Sequence, residues 1–120
     1  MQYNIEEIRK HYSTNKFKYP LIKEIIKQEF YDGNLFFNNS NITFLGNLEK
    51  VGGSLWLNNT PITSFGNLKK VGGFLYLLET PIKNIELPPN INKIYCDIGA
   101  IKNLHKYKNN PNKEIYLSVK

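Results

Sequence analysis

Two histidines, one cysteine and a recurring set of hydroxyls are the side chains of this 120-residue sequence with chemistry to offer. A hydrolytic centre needs a nucleophile within hydrogen-bond reach of a base, and a third group that orients the base. His11 and His105 stand apart from Ser40, Thr60 and Thr80, which recur every 20 residues. A catalytic triad uses one privileged hydroxyl, whereas three at equivalent positions point to a structural task, the satisfaction of buried backbone groups. Glu79 and Asp97 are the nearest thing to an acid pair, but two carboxylates beside a groove read more simply as its polar rim. Cys96 sits on an apolar alternation and reads as a small core residue, not an activated thiol. A lone cysteine forms no internal disulfide, and no Cys/His cluster has metal-ligand spacing. The glycines belong to no P-loop or dinucleotide fingerprint. The expectation is a protein that is not an enzyme, with no catalytic residues, metal or cofactor.

The elements that hold these residues are set by an internal repeat. Gly33-Asn34-Leu35-Phe36-Phe37-Asn38-Asn39-Ser40-Asn41-Ile42 aligns without gaps to Gly53-Ser54-Leu55-Trp56-Leu57-Asn58-Asn59-Thr60-Pro61-Ile62 and to Gly73-Phe74-Leu75-Tyr76-Leu77-Leu78-Glu79-Thr80-Pro81-Ile82, each 20 residues after the last. The linkers repeat as well: Leu45-Gly46-Asn47-Leu48-Glu49-Lys50-Val51-Gly52 is followed by Phe65-Gly66-Asn67-Leu68-Lys69-Lys70-Val71-Gly72. A degenerate fourth copy runs from Ile91 to Leu104, one residue early, after the linker Leu87-Pro88-Pro89-Asn90. One such unit cannot bury its own apolar residues, but stacked neighbours bury them together. Gly46-Asn47 and Gly66-Asn67 mark one corner. Gly52-Gly53 and Gly72-Gly73 mark another, where glycine's tolerance of positive φ suits a sharp turn into the strand. The four residues between the corners are too few for an α-helix and predict a 3₁₀ turn or extended chain.

These residues resemble the leucine-rich-repeat family, whose pattern is L-x-x-L-x-L-x-x-N/C-x-L. Ile91, Ile94, Cys96, Gly99, Ile101 and Leu104 fall on it, and the G-N-L-x-x-V-G-G linker resembles a variant of phage and bacterial proteins. The earlier copies depart from it by placing Ser40, Thr60 and Thr80 where the family carries Asn. The resemblance implies an α+β repeat fold: a right-handed leucine-rich-repeat-like solenoid with a parallel sheet and an N-terminal helical cap. A single domain is expected over 1–120, with 1–32 the helical cap, 33–104 four repeats and 105–120 a C-terminal capping strand. Within the cap, Pro20 and the apolar stripe through Phe30 predict a helix over Tyr19–Phe30, and a second is expected from Ile5 to Tyr12. Ile115-Tyr116-Leu117-Ser118-Val119 alternates like a closing strand.

Strand alternation then fixes the outward surface. If Leu35/Phe37, Leu55/Leu57, Leu75/Leu77 and Ile94/Cys96 face the core, Phe36, Trp56, Tyr76 and Tyr95 form one outward column. In the resembled family this is the concave face. Phe74, Asn38, Asn58, Leu78, Asp97 and Glu79 flank the column. Tyr and Trp are enriched at the energetic centres of interfaces, so the expected partner is a protein or peptide. The resemblance to phage repeats adds the expectation of an inhibitor of a host protein. Two other readings of the stripe stand beside it: self-association as a homodimer or structural homo-oligomer, and simple stacking of the rings on each other.

Charge supplies a further alternative. The formal charge is +6, and residues 93–120 hold six Lys and two acids. A nucleic-acid binder would stack bases on the rings and hold phosphates with these lysines. The same lysines also read as a solvated surface. The N-terminus lacks the features of a signal peptide, and no apolar run reaches the roughly 18 residues of a membrane span, so a cytoplasmic protein without membrane contact is expected.

Overall fold

The computed structural model describes residues 18–107 and 109–118. The helix expected over Ile5–Tyr12 lies outside them. The chain winds as a parallel-sheet solenoid of about four turns with little helix: α1 (Lys18–Ile25), β1 (Phe30–Tyr31), β2 (Leu35–Phe36), β3 (Lys50–Val51), β4 (Leu55–Trp56), β5 (Lys70–Leu77), β6 (Asn90–Asp97), a 3₁₀ turn (Leu104–Tyr107) and β7 (Glu114–Ser118). All strand pairs are parallel.

Each turn contributes to two ladders. In the first, β1, β3 and the starts of β5 and β6 pair, and Tyr31, Val51, Val71 and Ile91 are buried between them. The second runs β2–β4–β5–β6–β7 and stacks Leu35, Leu55, Leu75, Ile94 and Ile115 in register. The first four of these, with Phe37, Leu57, Leu77 and Cys96, are 0% exposed. Burial of each large aliphatic or aromatic side chain contributes about 1.5–3 kcal/mol, and neighbouring coils supply most of the cover. The linker between the two corners is extended, with Lys50–Val51 and Lys70–Val71 in the first ladder.

The sequence places the first copy at Gly33, yet the coil starts earlier. Ile22 and Ile25 of α1, twenty residues before Ile42 and Leu45, are buried in the same core. The helix stops at Ile25 rather than Phe30 because the following segment takes the linker's path. The N–H of Asn47 donates to the Ile26 carbonyl at 2.7 Å, that of Glu49 donates to Glu29 at 2.8 Å, and Phe30–Tyr31 pairs with Lys50–Val51. Glu29-Phe30-Tyr31-Asp32-Gly33 is thus an unrecognised copy of Glu49-Lys50-Val51-Gly52-Gly53. Its bulky aromatics mimic a helical stripe, and ladder pairing overrides local propensity.

The paired glycines are also placed differently from expectation. Positive φ falls at the other corner, at Gly46 (58°) and Gly66 (56°), while Gly52, Gly53, Gly72 and Gly73 lie outside that region. What those four provide is close approach. A Cβ on Gly72 would overlap the carbonyl oxygen of Gly52, and one on Gly73 would overlap the Ser54 hydroxyl. The one-residue shift of the fourth copy becomes a β-bulge: Val71 pairs with Ile91 but Phe74 with Lys93, so two residues of β5 oppose one of β6.

Candidate functional site

Phe36, Trp56, Tyr76 and Tyr95 stand at successive register positions of the second ladder and stack face to face. Ring centroids are 4.4, 4.6 and 5.2 Å apart, with interplanar angles of 18°, 12° and 6°. All four are half-buried. β7 adds a fifth ring that the sequence reading missed: Tyr116 pairs with Tyr95 and stacks on it at 4.8 Å. The alternation of Ile115, Tyr116 and Leu117 was the available signal, but without a repeat motif nothing aligned it to the column. Phe74 lies beside the column, 5.3 to 6.1 Å from Tyr95, Tyr76 and Tyr116, with the Lys93 ammonium 5.5 Å from its centroid.

The polar flanks brace the coils. Asn34 Oδ1 accepts from Ser54 N–H, Ser54 Oγ from Phe74 N–H, and Asn58 Oδ1 from Leu78 N–H, at 2.7, 2.9 and 2.8 Å. Asp97 Oδ2 accepts the Glu79 backbone N–H at 2.8 Å, while Oδ1 is buried without a hydrogen-bond partner. Asn59 donates through its side chain to Asn39 at 2.9 Å; both residues and Glu79 hold positive φ of 56–62°. Asn38 and Leu78 are half-buried beside them and Glu79 is exposed. The ten site residues named from the sequence therefore share one region of the sheet's outer face.

No activated nucleophile emerges among the described residues. The Ser40, Thr60 and Thr80 hydroxyls donate to the carbonyls of Phe37, Leu57 and Leu77, three residues back, at 2.6, 2.8 and 3.2 Å. Burial, then the neighbouring Asp97 charge, push the Cys96 thiol up to about 11. His105 lies in the exposed 3₁₀ turn, and no group of three or more metal-ligating side chains occurs among the described residues. Among them too, no helix is long and apolar enough to cross a membrane.

The stacking decides what the column can offer. Each inner ring has both faces covered by its neighbours and turns its rim outward. An inserted base needs a gap of roughly 7 Å, twice the base-stacking distance of about 3.4 Å. The observed spacings leave no such gap between the five rings. Three C-terminal lysines are also engaged within the fold: Lys93 with Glu114 at 4.0 Å, Lys106 with Glu86 at 2.9 Å, and Lys113 with the carbonyls of Pro89 and Ile91 at 2.8 and 2.9 Å. The Lys106 contact lowers the Glu86 carboxyl below its ordinary range. Comparison with family models, curated proteins and solved structures yields no match to this chain.

Proposed function

We propose that the protein is a non-enzymatic binding module that recognises a protein or peptide through the aromatic column and its flanks. The observation that carries this reading is the five-ring stripe, half-buried or exposed, on a sheet face whose opposite side forms the core. Ring rims and the tyrosine hydroxyls of residues 76, 95 and 116 offer apolar contact with hydrogen-bonding tips, the mixture favoured at interface centres. The face spans five strands at about 4.8 Å, a few hundred Å², against about 800 Å² per partner for a standard interface. That size suits a peptide, loop or single helix. Base stacking finds little support in spacings of 4.4–5.2 Å.

The finer classification belongs to the same proposal: a right-handed, leucine-rich-repeat-like α+β solenoid with an N-terminal helical cap that ends at Ile25, working in the cytoplasm. Its support is the repeat pattern and the burial of Ile22 and Ile25 against the first coil. By resemblance to phage repeats, the target is a host protein that the module inhibits.

The test is affinity capture from cells with the wild type beside Trp56→Ala/Tyr76→Ala, after circular dichroism has established that both are folded. Partners retained by the wild type and lost from the double variant are expected. Trp56 is the sole tryptophan, so its emission should shift when a captured partner is titrated in. Retention of every partner by the double variant, with unchanged emission, overturns the assignment.

A further inference from the structure

The two ends of the core are finished differently. At the first coil of the second ladder, Leu35 and Phe37 are 0% exposed. At the last coil, Leu117 is 43% exposed, Tyr116 is 44% exposed and Ile115 is only half-buried. Ile115 and Leu117 line a hollow with Leu104, Tyr107 and Lys113. The apolar columns that are sealed everywhere else thus run out at β7 into solvent.

The backbone of β7 is open on the same side. The N–H of Ile98 donates to the Ser118 carbonyl at 3.0 Å, so Ser118 directs its carbonyl toward β6. In a parallel pair, alternate residues direct both backbone groups to the same neighbour, which assigns Glu114, Tyr116 and Ser118 to β6. Ile115 and Leu117 then direct their N–H and C=O groups outward, a template for another strand.

We propose that this edge pairs with β7 of a second copy of the chain, antiparallel, across a two-fold axis at Tyr116. The segment Glu114-Ile115-Tyr116-Leu117-Ser118 is complementary to itself in that register. Ile115 falls opposite the partner's Leu117, so the outward groups of these two residues bond each other, as do those of the symmetric pair. Apolar faces apolar on the core side, and the two hollows close over one another. Glu114 falls opposite the partner's Ser118, so no like charges meet. Tyr116 falls opposite the partner's Tyr116 at a non-hydrogen-bonded site, where side chains lie closest. A two-fold pairing closes on itself. A head-to-tail stack lacks this match, because the opposite end presents no exposed counterpart of Leu117 in its column.

Sedimentation of the full chain over a concentration series tests the proposal. The mass is expected to rise from 14.0 kDa toward twice that, and Leu117→Lys is expected to raise the dissociation constant at least about tenfold. Tyr116→Cys is expected to form a disulfide-linked dimer on mild oxidation, whereas Tyr76→Cys, away from the axis, is not. The cross-link carries the test if Leu117→Lys does not fold. A wild type that stays monomeric at every concentration, or a Tyr116→Cys protein that fails to cross-link, overturns the pairing.

Discussion

Thr60 shows how a residue type with catalytic potential is used structurally. Its side chain is buried and its hydroxyl donates to the Leu57 carbonyl at 2.8 Å, closing the turn that leaves the strand. Thr60→Val keeps the shape but removes the donor, and is expected to cost about 1–2 kcal/mol in urea unfolding, with Thr60→Ser retaining most of the stability. Cys96 gives a second measurement. Its thiol, pushed up to about 11, stays protonated in the fold while an unfolded chain ionises it from the ordinary 9.0. This contribution to stability is therefore complete below pH 9 and is lost as pH rises toward 11. Alkylation of Cys96 at pH 8 should track global unfolding, and rapid modification of the native protein would contradict its burial. Both roles were legible in the sequence, because period-two alternation and a recurring hydroxyl are local signals. Tyr116 was not. β7 follows β6 at a 21-residue offset (Lys93 with Glu114), through a 3₁₀ turn and no G-N-L-x-x-V-G-G linker.

Among the elements, the linker corners separate two uses of glycine. At Gly66 the requirement is conformational: φ is 56° and a Cβ would meet nothing within 4 Å. At Gly72 it is steric, against the Gly52 carbonyl. Gly66→Ala is expected to cost about 1–2 kcal/mol through the left-handed backbone alone. Gly72→Ala must push two coils apart and should cost more, about 3 kcal/mol or above, measured by chemical denaturation. Equal costs at the two sites would mean that the coils do not meet this closely. From sequence, both corners were legible, but positive φ was expected at the Gly-Gly corner and is found at Gly46 and Gly66, since a Gly-Gly pair looks alike whether it serves torsion or contact. The end of α1 was hidden for a related reason: Phe30 and Tyr31 fit a helical stripe as well as a strand, and only their pairing with Lys50 and Val51 chooses.

For the whole molecule, stability is a sum over adjacent coils, so the same truncation weighs differently along the axis. Leu55 has Leu35 on one side and Leu75 on the other, whereas Ile115 has Ile94 on one side only. Leu55→Ala is expected to cost roughly 3–5 kcal/mol and Ile115→Ala about 1–2 kcal/mol in the monomer, compared by denaturant midpoints. The repeat made the solenoid and its inward and outward faces readable, because a constant offset places residues 20 apart beside one another. The exposure of Ile115 and Leu117 was unreadable, since it depends on what packs beside β7 in space. That constant offset has a consequence for construction. Lys50 pairs with Lys70 and Leu55 with Leu75 in one unbroken frame, so duplicating residues 53–72 in place adds one whole storey of about 4.8 Å. The enlarged chain would carry a second tryptophan stacked on the first while β2 and β7 kept their own neighbouring strands, making height a variable set in integer steps by the gene.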